Sequence, residues 1–173
     1  SPLNLSIYCE VHGEGTQFGS RNDLFRALLD LKDRKIRFSI SPSWTAPVVL
    51  GKLATHMSEQ QKLDAPVSIL DEFPGAIDLL QSEHLITRQP NRIAFIHESF
   101  FDYIFARNFA AGDQTVLEWL LLTEQHLFRR TQTRQIFETL RQDDRDMYLA
   151  QLESVLHSTG VRYHIKQNIL QWL

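Results

Sequence analysis

The stretch from His84 to Ala111, HLITRQPNRIAFIHESFFDYIFARNFAA, leaves few architectures open to the residues around it. Two short apolar runs, His84 to Arg88 and Arg92 to Ile96, flank Gln89-Pro90-Asn91. A turn-forming tripeptide between two such runs predicts a β-hairpin, and no other segment carries a clear β signal. Ser99 and Asp102 then have capping-box spacing, predicting a helix that runs to about Ala111 and ends near Gly112. Along it Phe100, Phe101, Tyr103, Phe105 and Phe109 are too many aromatic rings for one helical stripe, so burial on more than one side is expected. Helices leading into a hairpin, with a helix after it, suggest a winged helix.

The preceding residues read as helices separated by Gly and Pro. Pro2, Leu3, Leu5, Ile7, Tyr8 and Val11 suggest a short helix with Pro in its first turn, stopped by Gly13, Gly15 and Gly19. Ser20 and Asp23 form a second capping-box pair ahead of Leu24, Phe25, Ala27, Leu28 and Leu31, which predicts a helix over 21 to about 36. Val48, Val49, Leu50, Leu53, Ala54 and Met57 form a further apolar face after Pro47. A linker ending near Asp64-Ala65-Pro66 leads to a helix expected from about Ile69 to Gln81, with Pro74 close to its start.

After Gly112 four apolar-periodic segments follow, at about 114–122, 124–142, 145–157 and 161–173, broken by Thr123, Asp143-Asp144 and Ser158-Thr159-Gly160. Two successive helical pairs of this size resemble the start of a HEAT-like solenoid. The expected fold class is thus mainly α: a small helical domain over 1–46, a winged-helix domain with a short β-hairpin over 47–112, and HEAT-like helical hairpins over 113–173.

Composition narrows the function classes. With 43% hydrophobic residues a core can form, and 18 Lys+Arg against 21 Asp+Glu give a net charge of -3. No global field therefore draws the protein to nucleic acid or to an anionic membrane. The single cysteine, Cys9, leaves no internal disulfide and fits a reducing, cytoplasmic setting. No apolar run reaches the roughly 18 residues of a membrane-spanning helix. The chain starts without Met and ends on the apolar Gln171-Trp172-Leu173, so both ends are expected to be cut.

Self-sufficient catalysis is not expected from these residues. Gly51-Lys52 lacks both the first glycine and the following Ser or Thr of a G-x-x-x-x-G-K-[ST] phosphate loop, having Ala46 and Leu53 there. The lone Cys9 and seven scattered histidines give no zinc-site spacing, and there is no G-x-S-x-G elbow. Arg129, Arg130, Arg134, Arg141 and Arg145 are interspersed with Glu124, Glu138, Asp143, Asp144 and Asp146, which reads as a solvated, salt-bridged surface.

The segment IAFIHESFFDYIFAR, Ile93 to Arg107, resembles the winged-helix signature of NACHT-type STAND ATPases, and Ser1-Pro2-Leu3-Asn4-Leu5 resembles the Pro-Leu-x-Leu segment that follows the nucleotide-binding core in that family. Their separation, roughly ninety residues, suits a helical domain followed by a winged helix. The resemblance covers most of residues 1–111 and thins beyond. It implies that ADP or ATP, with Mg, is held by a nucleotide-binding domain of the same polypeptide, N-terminal to these residues. Pro2 then contacts the adenine side and His97 reaches the terminal phosphate of ADP. It further implies an ATPase in the full-length protein, a protein trigger, and an oligomer on activation.

Two other readings stand beside it. One is a winged-helix DNA-binding regulator with a helical dimerisation region, but Ile69 to Gln81 carries Asp71, Glu72 and Asp78 and no Lys or Arg, which opposes major-groove docking. The other is a protein-interaction scaffold whose winged helix has no nucleotide role.

Overall fold

The computed structural model describes residues 7–9, 11, 18–40 and 42–173. Pro2, Gly13 and Gly15 lie outside them. The fold is mainly α with one small antiparallel sheet. It divides into two compact units, residues 1–104 and 105–173. No helix among the described residues is long and apolar enough to cross a membrane.

In the first unit, α1 (Arg21–Ile40) starts where Ser20 predicts: the Asp23 amide donates to Ser20 Oγ at 3.1 Å, and that hydroxyl donates to Asp23 Oδ2 at 2.8 Å. It runs past the expected end at 36, because nothing from Lys35 to Ser39 breaks a helix. Helix α2 (Ala46–Gln60) packs against α1 and has Pro47 in its first turn, where the missing N–H costs nothing. The Ala46 amide donates to Asp33 Oδ1 of α1 at 2.7 Å, so one helix caps the next. Gly51-Lys52, the failed phosphate-loop match, lies inside α2, where Lys52 pairs with Glu72.

Strand β1 (Ala65–Pro66), a single turn of 3-10 helix (Val67–Leu70), α3 (Ala76–Ser82), β2 (Ile86–Gln89) and β3 (Arg92–Phe95) complete the winged helix. The strand order is β1-β3-β2, all antiparallel. Ile86 pairs with Phe95 and Gln89 with Arg92 across the Pro90-Asn91 turn. Pro66 is tolerated because β1 is an edge strand.

The single helix expected over about 69–81 is not formed. Pro74-Gly75 divides it: Gly75, at φ 72, starts α3 from the left-handed region, and successive turns occupy 70–76. Trp44 Nε1 donates to the Pro74 carbonyl at 3.1 Å, tying this corner to the loop before α2.

Helix α4 (Glu98–Ala110) follows β3. Phe100, Phe101, Tyr103 and Phe105 are all buried, which takes in more than one side of the helix, as their number predicts. Phe100 and Tyr103 each lie 5.4 Å from Phe25, and Phe95 meets Phe100 edge-on at 5.9 Å and Phe101 at a tilt at 5.7 Å. In the second unit Phe105 and Phe109 meet Trp119 at 5.6 and 5.5 Å. Such clusters add about 0.5–1.5 kcal/mol per pair beyond area burial.

The second unit holds α5 (Val116–Leu122), α6 (Leu127–Asp143), α7 (Arg145–His157) and α8 (Tyr163–Trp172), close to the four predicted segments and their breaks. Thr115 and Glu118 form a reciprocal capping box on α5. Helix α6 packs against both α7 and α8. Ile136, Phe137, Val155 and Ile165 are fully buried between them. Buried Gln125 joins two loops, donating to the Gly160 carbonyl at 2.9 Å and accepting the Arg162 amide at 2.7 Å.

Arg129 departs from the solvated surface expected of it. It is 1% exposed, its guanidinium lies 4.6 Å from the centre of the Trp119 ring, and it donates to Gln132 at 3.0 Å. Arg134 does pair at the surface, with Glu138 at 2.9 Å, and Arg141 lies 4.9 Å over Trp172.

Candidate functional site

His97 stands at the join between β3 and α4, exposed to solvent. The hydrogen-bond pattern makes it the residue that caps the helix: its carbonyl accepts the amides of Phe100 and Phe101, each at 3.1 Å. The side chain completes the cap, since Nδ1 accepts the Ser99 amide at 3.2 Å and lies 2.8 Å from the Ser99 hydroxyl. This corrects the capping box read at Ser99 and Asp102. Ser99 is already inside the helix, and the imidazole takes the part expected of a Ser or Asp oxygen.

The bonds to Nδ1 also fix what the ring can offer. With Nδ1 accepting from the Ser99 amide, the neutral tautomer carries its proton on Nε2. No contact within the described residues occupies that nitrogen, so the exposed ring presents one directed N–H donor. Phosphate, carboxylate and carbonyl oxygens are the groups such a donor recognises. Near it, the Ser99 amide is taken by the cap, and the exposed Glu98 places a negative charge in the first turn of the helix. Helix dipole and anion attraction are therefore partly satisfied from within.

Asp102, one turn beyond Glu98, is 5% exposed. Burial pushes its carboxyl up to about 7, and the nearby charge of Glu98 adds to the rise. Near neutral pH this carboxyl therefore exchanges a proton. The sequence contains both acids, but only packing separates the solvated one from the buried one.

Pro2, the second predicted contact, lies outside the described residues. Among those described, no three His, Cys, Asp or Glu side chains are placed to hold a metal ion. The basic residues of the hairpin are engaged within their own unit. Arg88 donates to Asp78 of α3 at 3.0 Å, and Arg92 bonds the carboxylate of Asp64 and, at 3.2 Å, its carbonyl. The Arg92 hydrogen bond holds the Asp64 carboxyl below the usual carboxylate range.

No family model, curated protein or solved structure matches this chain.

Proposed function

We propose that this chain is a regulatory segment of a NACHT-type STAND ATPase, in which His97 contacts the terminal phosphate of ADP held by a nucleotide-binding domain outside these residues. The observation that carries the reading is the exposed imidazole at the β3–α4 join, with Nδ1 tied to Ser99 and Nε2 left to donate. A ring so held has little orientational freedom to lose on meeting an oxyanion, which favours binding. Pro2 takes the adenine side, and hydrolysis with Mg belongs to the other domain.

The switch follows from differential affinity. If the winged helix contacts ADP in one arrangement only, exchange for ATP removes that contact and releases the module. One charge-assisted hydrogen bond, worth roughly 1.5–3 kcal/mol, biases two arrangements by about tenfold to a hundredfold.

The DNA-binding alternative is disfavoured by the same unit. The seven-residue α3 carries Asp78 and no Lys or Arg, and Arg88 and Arg92 of the hairpin are already paired with carboxylates. The decisive experiment is ADP affinity of the full-length protein, measured by calorimetry, with His97→Ala. Weakening of about tenfold or more is expected from loss of one such bond. Unchanged affinity overturns the reading in favour of a scaffold without a nucleotide role.

A further inference from the structure

The second unit contains a cleft of about 210 Å³ lined by Leu127, Arg130, Thr131 and Arg134 of α6 and Asn168 of α8. Every polar side chain in its lining can donate a hydrogen bond, two guanidiniums, a hydroxyl and a carboxamide, and no carboxylate is among them. The two arginines are four residues apart and so share one face of α6.

Their states differ. Arg134 is held by Glu138, which accepts from Nε at 2.9 Å and leaves the two terminal nitrogens uncommitted, and by Trp172, whose ring centre is 6.0 Å away. Arg130 has no such partner. It is partly buried, and its Nε is out of reach of solvent without a hydrogen bond. A guanidinium is always charged, so this donor cannot be silenced by losing a proton. Buried polar groups are ordinarily satisfied, and this one is not, so the Arg130 guanidinium is uncommitted within the described residues. On α8, His164 lies one turn before Asn168 and also has a buried, unbonded Nε2. The positive end of α6 adds to this field, because no acidic residue stands in its first turn and no side chain caps it. Glu124, just before, is engaged with His126.

The geometry points to a binding site for a phosphate monoester head group in this cleft, with Arg130 as the principal ligand and Arg134, Thr131 and Asn168 completing the donor set. The size supports a head group over a whole nucleotide, since sites for drug-sized ligands run to roughly 300–1,000 Å³. Planar guanidinium forks suit the paired oxygens of phosphate, and two of them around one opening suit a dianion better than a single carboxylate. This site is separate from His97 and stands or falls independently of the nucleotide reading.

The test is titration of the 173-residue chain with inorganic phosphate, phenyl phosphate and acetate, following the Arg130 Nε–H resonance by NMR. Saturable shifts with both phosphates are expected, with a Kd on the order of 1 mM for the bare ion. Tighter binding of phenyl phosphate identifies an esterified ligand as the natural source, and equal binding identifies free phosphate. Arg130→Gln should weaken either by about tenfold or more, and Asn168→Asp, which places a carboxylate in the cleft, should abolish binding in a chain whose circular dichroism is unchanged. Non-saturable shifts, acetate binding as tightly as phosphate, or full affinity in folded Asn168→Asp each overturn the site.

Discussion

The imidazole of His97 accepts the backbone amide of Ser99 at 3.2 Å, so a single side chain both starts α4 and presents a donor to solvent. The two roles separate by substitution. His97→Ala removes the cap and should cost about 1 kcal/mol of stability, whereas His97→Asn supplies a preferred capping residue and should cost little. Urea unfolding of the 173-residue chain measures this difference. On the proposed contact of His97 with ADP, both variants should weaken ADP equally in the full-length protein, because neither presents the Nε2 donor. Weakening by Ala alone would trace the effect to the cap.

Asp102 makes stability fall as pH rises. Its carboxyl is raised from an ordinary 3.8 to about 7 in the folded chain, so the folded state holds the proton more tightly than the unfolded one. Its neutral form carries no penalty below the unfolded value, and stability is lost progressively between about pH 4 and pH 7 and stays lost above. The displacement corresponds to about 4 kcal/mol as an upper bound. Asp102→Asn should therefore raise the urea midpoint at pH 8 and change it little at pH 4. Equal effects at both pH values would refute the assignment.

Arg129 should behave as a core residue. Arg129→Ala removes packing on Trp119 and the bond to Gln132, and a loss of about 3 kcal/mol is expected. Arg129→Lys should recover only part of it, since an ammonium neither stacks flat on an indole nor reproduces the guanidinium fork. Thermal unfolding of the two variants checks the order.

Gln125→Glu distinguishes the two bonds of that amide. The carboxylate still accepts from the Arg162 amide but can no longer donate to the Gly160 carbonyl. A loss of about 1–3 kcal/mol is expected, with Gln125→Ala at least as damaging. Hydrogen exchange at Arg162 should rise in Gln125→Ala and stay protected in Gln125→Glu.

The hairpin was legible because two apolar runs and a Pro-Asn turn agree on one structure, and the last four helices because each break is a polar or Gly cluster next to a periodic stripe. Strand β1 was not, since two residues carry no period and Pro66 reads as a linker. The helix expected over 69–81 does not form because apolar spacing carries no information about Pro74-Gly75, whose backbone requirements are stricter. Arg129 was misread because charge alternation marks a helix as polar without saying which positions face a neighbour. The place of His97 between the hairpin and the following helix was legible, but its capping role was not, as histidine is not among the preferred capping residues.

The amide bridge at Gln125 has a mechanical consequence for the second unit. Because one side chain grips the connection between α7 and α8 from the connection between α5 and α6, the two turns share a fate. Strain entering at either is delivered to the other, and a one-residue insertion in either loop should be felt at both as a lost clasp.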